Sequence, residues 1–372
     1  MVYLDNSATT RVDPQVAQRA VEVMCKTFGN PSSLHGVGSA AYTELGVARN
    51  QIAKMLAAKT SCIYFTSGGT ASNNIAIQGG ALANVAVGKH LVTTMIEHDS
   101  ILHSCRHMEE LGWEVSYVRP DPKMHLLRAE DVIQAVRPDT ALVSVMFVNN
   151  ETGEILPIKE IVEGVRKKNP QTRIHCDCVQ GFGKLPFKLH EYDVDMASMS
   201  GHKIHAPKGI GALYLRDPSL VKPLKFGGSQ EGKINPGTES FPLACAFGLA
   251  SDLALYRIKE QAEETAKLRQ HFIERLQSAF PDMLINSPEK SSPYVLSVSL
   301  PGASSHDLVS KLSGQGVYVS AGSACSKGSR SHVLEAMGLE PERIDSVLRI
   351  SFGTENRKED ADVLVEAIKA SL

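Results

Sequence analysis

The 372-residue sequence has no C-x-x-C cysteine pair, a single tryptophan and almost no net charge (−2). Without paired cysteine ligands a structural zinc site is not expected. The near-neutral charge leaves no electrostatic footprint for general binding to nucleic acid or to an anionic membrane surface. No uncharged apolar stretch reaches transmembrane length. The start of the chain, Met1 to Ser7, has no basic region followed by an apolar one, so no secretion signal is expected. The seven cysteines are an odd number and scattered, which fits reduced thiols and a cytoplasmic home better than a disulfide framework.

What is present is an ordinary globular composition, 42% hydrophobic and 22% charged, in a chain long enough for a large core and two domains. Asp13-Pro14 reads as an N-cap followed by proline at the first helical position, with Val16, Ala20 and Val23 as its apolar stripe. A helical pattern returns from Ala40 to Leu56. From Ile63 to Tyr214 short apolar runs alternate with helical patterns, and the run Ala141 to Val148 has the composition of a buried central strand. This alternation predicts an α/β fold with a mainly parallel sheet and helices on both faces. Right-handed crossovers would then collect the strand-end residues along one edge. A long helix from about Leu243 to Phe280, charged in its second half, is expected to bridge to a smaller α+β unit. The expected division is a large domain over 13–255 and a small one built from 1–12 and 256–372.

Several strand ends carry chemistry. Ser67-Gly68-Gly69-Thr70 follows a strand and is expected to precede a helix from Ile75 to Val85, a setting that offers backbone amides to a phosphate or simply caps the helix. His98 and the pair Asn149-Asn150 each close a strand, the asparagines as cleft residues or as turn formers. In Cys176-Asp177-Cys178, alternation sends the cysteines to one face and Asp177 to the other, with Gln180 close behind. Cys25, Cys62, Cys105 and Cys245 lie on apolar faces and are expected in the core. Ser200-Gly201-His202-Lys203 places a lysine in a tight turn, where a desolvated amine loses proton affinity. Arg349 interrupts an apolar strand, either snorkelling at an edge or clamping a carboxylate. Cys325 sits among Gly and Ser next to Lys327 and Arg330, the surroundings of a reactive thiolate.

A lysine in a turn, a strand-end aspartate and a Gly-Gly-Thr phosphate turn suit pyridoxal 5'-phosphate, which needs an amine, a carboxylate at its ring nitrogen and amides at its phosphate. The sequence resembles the fold-type I pyridoxal-phosphate enzymes of the aminotransferase class V group, and within it the cysteine desulfurases. The similarity runs from Tyr3-Leu4-Asp5-Asn6-Ser7-Ala8-Thr9-Thr10 through Gly29-Asn30-Pro31-Ser32-Ser33 to Arg349-Ile350-Ser351. Ser200-Gly201-His202-Lys203 and Ser323-Ala324-Cys325 are its most specific motifs. The resemblance implies a seven-stranded sheet of that family's kind. It makes Lys203 the lysine that bonds the cofactor, Asp177 the partner of the ring nitrogen, His98 the residue over the ring and Gln180 the contact of the ring hydroxyl. Gly69, Thr70, Ser200 and His202 would hold the phosphate, with Thr238 reaching in from the other subunit of a homodimer. Asn150 and Arg349 would position the substrate carboxylate. Cys325, on a loop of about 320–332, would take sulfur from L-cysteine as a persulfide. It would pass that sulfur to an iron–sulfur scaffold or a tRNA-thiolation sulfurtransferase, with a transient contact to iron–sulfur cargo and no resident metal.

Lys208 is a rival for the lysine role and is read as structural. Two positions depart from the family pattern, Ala71 where glutamate is common and Asn235-Pro236 where Arg-Ser is. The chain stops soon after its last helix, which leaves the sulfur acceptor open. A selenocysteine lyase or another class V enzyme would share this cofactor site, and a catalytically idle docking platform would have no use for it.

Overall fold

A computed structural model of the chain describes residues 1–322 and 330–372. Ser323, Ala324, Cys325 and Lys327 therefore lie outside the described residues. In chain order the strands are β1 (Val2–Tyr3), β2 (Ile63–Thr66), β3 (His90–Thr94), β4 (Glu114–Val118), β5 (Thr140–Met146), β6 (Arg173–Asp177), β7 (Met196–Ser200), β8 (Gly211–Leu215), β9 (Leu284–Ile285), β10 (Val295–Ser299), β11 (Val317–Tyr318) and β12 (Val347–Ser351).

Seven of these form one sheet in the order β2-β8-β7-β6-β5-β3-β4. The pairing is parallel from β7 through β6, β5 and β3 to β4, as the helix–strand alternation predicts. β8 departs from it and runs antiparallel to both β7 and β2. The ten residues between β7 and β8 are too few for a parallel crossover, so the chain folds straight back. Every residue of β5 is buried, which its apolar and β-branched composition allows. Because β2, β3, β5, β6 and β7 share one direction, their C-terminal ends open on the same side.

On one face the helices Pro14–Lys26 and Gly36–Leu56 pack against the long helix Phe241–Ala279. Asp13 caps the first of these, its carboxylate accepting from the Gln15 and Val16 amides. Gly248 lets the long helix approach closely, since a Cβ there would stand 2.7 Å from the Ala48 Cα. By length and composition the long helix is apolar enough to cross a membrane, with mean hydropathy 1.3 over its best stretch. The stretch is not uncharged, since Asp252 interrupts it. Packing explains the apolarity: Ala244, Cys245 and Phe247 enter the main core, and Phe272, Ile273 and Leu276 enter a second one.

That second core collects Leu4, Leu296, Ile350, Phe352 and Leu364 beneath the antiparallel sheet β12-β10-β9. β1 pairs in parallel with β11. Bridges Asp5–Ser351 and Ser320–Arg349 stitch this pair to β12. The first residues of the chain thus fold with its last third, while Val333, Leu334, Met337 and Ile344 pack into the main core.

Two expectations are corrected. The helix after β2 begins at Gly69 rather than Ile75, running Gly69–Asn74, then a π turn Ile75–Gly79, then Gly80–Ala83. Gly68, at φ 148°, makes the turn that starts it early. Cys25 is exposed at the end of its helix rather than in the core.

Candidate active site

The strand ends line one cavity of about 550 Å³, a size ordinary for a cofactor and a small substrate. Gly69 and Thr70 enter it from the helix start after β2, His98 from after β3, Asn150 from after β5, Asp177 from the end of β6 and Gln180 from the turn that follows it. Ser200, His202 and Lys203 come from β7 and its turn, and Arg349 comes from β12. The amides of residues 69–71 have no helical acceptor and sit at the positive end of the helix dipole. Gly69 must be small: a Cβ there would lie 2.7 Å from Val179 Cγ2.

Asp177 is held from two sides. Its Oδ1 accepts the Val179 amide at 2.9 Å and its Oδ2 accepts Asn73 Nδ2 at 2.7 Å. Asn73 Nδ2 also lies 2.8 Å from Ser100 Oγ, which in turn sits 2.8 Å from His98 Nδ1. His98 caps its own helix, Nδ1 accepting from the Ser100 amide, so the proton of the neutral ring is on Nε2. Burial holds its pKa below the ordinary imidazole value, with Asp177 pulling the other way and Lys203 reinforcing the drop. His202 is pushed down to about 4 by burial and then by the Lys203, Lys208 and Lys184 cations; it is neutral at pH 7, 3.1 Å from Thr9 Oγ1.

Lys203 Nζ donates to the carbonyls of Ser7 and Ala8, the latter at 2.8 Å. Gln180 Nε2 donates to the Ser7 carbonyl at 2.9 Å, while its Oε1 accepts from Lys184 Nζ at 3.2 Å. Arg349 is 1% exposed. It donates to Asp5 Oδ1 at 2.8 Å and to the Asn150 carbonyl at 3.2 Å. Its Nε has no hydrogen-bond partner among the described residues. This burial rules out the edge-snorkelling alternative and leaves an arginine aimed into a cleft.

The expected residues Lys203, Asp177, His98, Gln180, Gly69, Thr70, Ser200, His202, Asn150 and Arg349 all line the cavity. Cys325 lies outside the described residues. Thr238 is exposed and does not line the cavity within this chain. Lys208, read as structural, stands at the cavity rim. Of the two asparagines, Asn149 takes the turn role, its Oδ1 accepting the amides of Glu151 and Thr152. Cys176 and Cys178 are buried in the main core, as their shared strand face predicts. The reading missed Asn73 and Ser100, which tie Asp177 to His98, and the N-terminal carbonyls of Ser7 and Ala8. Asn73, four residues from Gly69 on one helix face, was the available signal. Asn235, one of the departures, anchors its loop by donating to the Phe65 carbonyl at 3.0 Å.

The donor set fits pyridoxal phosphate. Asp177 is the one carboxylate lining the cavity among the described residues, against Lys203, Lys208, Arg349 and a helix N-terminus. That balance suits a phosphate and a substrate carboxylate, with one acid left for a ring nitrogen. The class-V aminotransferase family model matches residues 2–364. The chain belongs to the class-V aminotransferase family. The enzymes of this family are pyridoxal-phosphate dependent, and the chain is one of them. It is 41% identical over 369 residues to the cysteine desulfurase IscS of Methanosarcina thermophila, covering 99% of this chain and 91% of that protein. Among solved structures, a NifS-like protein superposes with a TM-score of 0.93 at 36% identity, covering 99% of this chain and 98% of the other. SspA solved in complex with cysteine gives a TM-score of 0.83 at 33% identity over 95% of this chain and 99% of the other. The seven-stranded, mainly parallel sheet is the one the resemblance implies.

Proposed function

We infer that the chain is a cysteine desulfurase, converting L-cysteine to L-alanine while its sulfur passes to Cys325 as a persulfide. The observation that carries this reading is the cavity itself, where Lys203, Asp177, a helix N-terminus and the buried Arg349 converge. Bound pyridoxal phosphate would supply an aldehyde for the substrate amine and a ring that stores the electron pair released at Cα. Arg349 and Asn150 would orient the substrate carboxylate, with Arg349 Nε, which has no partner among the described residues, adding to the donors available. Gly69, Thr70, Ser200 and His202 would hold the phosphate, and Asp177 would keep the ring nitrogen protonated. Lys203 Nζ, once displaced from the cofactor, would take the Cα proton, with neutral His98 Nε2 able to carry a proton at the same face. The Cys325 thiolate would form an S–S bond to the substrate sulfur as the Cβ–S bond breaks and Cβ gains a proton. Only the thiolate attacks, and a nearby Lys327 would favour it, while Arg330 is held by both carboxylate oxygens of Asp345.

A homodimer in which Thr238 completes the partner's phosphate site is part of this proposal. Its support is that Thr238 is exposed and that Phe28, Leu34, Tyr42 and Phe226 are exposed apolar side chains. The proposal keeps the domain boundaries at 12/13 and 255/256, which the separate second core favours. It also places the enzyme in a reducing cytoplasm, with an iron–sulfur scaffold or a tRNA sulfurtransferase as sulfur acceptor. The test compares wild type with Cys325→Ala, assaying alanine and, with reductant, sulfide. The proposal expects the variant to keep its cofactor absorbance and form neither product. Continued turnover would remove Cys325 from the chemistry and favour a lyase.

A further inference from the structure

We propose that Lys184 is a positioning residue of the cofactor site, holding the Gln180 amide with its Nε2 donor turned toward the cavity. This rests on the reading of Gln180 as the contact of the cofactor's ring hydroxyl. Lys184 follows β6 by one further turn of chain, four residues after Gln180. The side chain is buried and makes no ion pair among the described residues. Its Nζ donates to Gln180 Oε1 at 3.2 Å and lies 5.7 Å from the centre of the Tyr294 ring.

The argument is one of donors and acceptors. An ammonium or amine at this place offers N–H groups to the amide, and an ammonium can accept nothing. To the ammonium form Gln180 must therefore give its carbonyl, and its NH₂ is turned to the opposite side. There it donates to Ser7 at 2.9 Å and lines the cavity. A flipped amide would face NH₂ against NH₃⁺ and present a carbonyl to an oxygen of the cofactor ring, setting acceptor against acceptor. Burying an amine without a carboxylate is costly, and a methionine would fill the same space at no such cost. Burial, then the charges of Lys203 and Arg349, brings the Lys184 amine down to about 7. His202 and His205 also feel its charge, and Asp13 and Arg257 share a smaller cavity with it behind Lys203.

The experiment uses the cofactor-loaded enzyme and two readouts other than turnover: the rate of pyridoxal-phosphate release into a trap and the pH midpoint of the bound cofactor's absorbance. Wild type is compared with Lys184→Met, Gln180→Leu and the double variant. The proposal expects K184M and Q180L each to release cofactor roughly five- to tenfold faster, as the loss of one hydrogen bond implies, with the midpoint displaced. It expects the double variant to match Q180L alone, because Lys184 acts through Gln180. Additive effects in the double variant, or a K184M that moves neither readout while Q180L moves both, overturn it. If Q180L itself moves neither, the ring-contact reading fails and this proposal with it. Should K184M not fold, Lys184→Arg and Lys184→Glu decide: arginine is donor-only and keeps both readouts, while an ionised glutamate is acceptor-only, turns the amide round and shifts them, and the reverse pattern refutes the proposal.

Discussion

Lys in place of Arg349 tests the substrate clamp with least disturbance, since it keeps the positive charge and most of the volume. Arg349 is 1% exposed and already spends two of its N–H groups on Asp5 and the Asn150 carbonyl. Its buried Nε has no partner among the described residues, and a donor left so costs about 1–3 kcal/mol unless an acceptor arrives. A substrate carboxylate is such an acceptor. A lysine ammonium is a point donor and cannot satisfy Asp5, the carbonyl and a carboxylate with a planar fork. Losing one hydrogen bond to a charged group, about 1.5–3 kcal/mol, should raise KM for L-cysteine roughly 10- to 150-fold. The assay follows alanine formation against L-cysteine concentration, beside the cofactor's absorption spectrum, which should not change. A KM within twofold of wild type, with cofactor bound, would show that Arg349 serves only to pair with Asp5.

Other expectations follow from the packing. Burial raises the Glu97 carboxyl from its ordinary 4.5 to about 8, although Thr94 and the Met146 amide donate to its Oε1. Between those two pH values the unfolded chain loses a proton that the folded chain keeps, so this group's contribution to stability falls as pH rises. Glu97→Gln should flatten that slope, seen as urea midpoints that differ less between pH 5 and pH 8 than in wild type; an unchanged slope would contradict it. Glu231 is buried against Arg49 at 2.7 and 2.6 Å and accepts the Phe65 amide at 2.7 Å. Glu231→Ala should therefore cost about 3–5 kcal/mol in urea unfolding, and a loss under about 1 kcal/mol would mean that the pair is screened. Gly69→Ala brings a Cβ to 2.7 Å from Val179 Cγ2. It should speed cofactor release from the loaded enzyme, and a wild-type release rate would remove Gly69 from the phosphate cradle.

Much of the site was legible because the strand-and-helix alternation is periodic and places strand ends on one edge. Asp177, Lys203, His98 and Gly69 were found in this way, and alternation alone sent Cys176 and Cys178 into the core. The antiparallel β8 was not legible, since apolar alternation does not reveal the direction of a strand. The early start of the helix at Gly69 was missed for a similar reason: polar residues Thr70, Ser72, Asn73 and Asn74 hid a helix whose inner face needs Ser72 for the Ala212 carbonyl and Asn73 for Asp177.

The sequence by itself determined the parallel core, the strand-end chemistry and the family, because local periodicity and short motifs carry those. Contacts between residues far apart in the chain were decided only by the tertiary structure. Arg349 is 344 residues from Asp5, and Lys203 meets the carbonyls of Ser7 and Ala8 across nearly 200 residues. No window of sequence holds such a pair. Whether an arginine in an apolar strand snorkels or clamps depends on what the fold packs over it, and here β1, β10 and β11 bury it against the N-terminal segment. Lys184 shows both cases: its contact with Gln180, four residues away, is local, whereas its place over Tyr294 arises only when the last third of the chain folds back on the sheet.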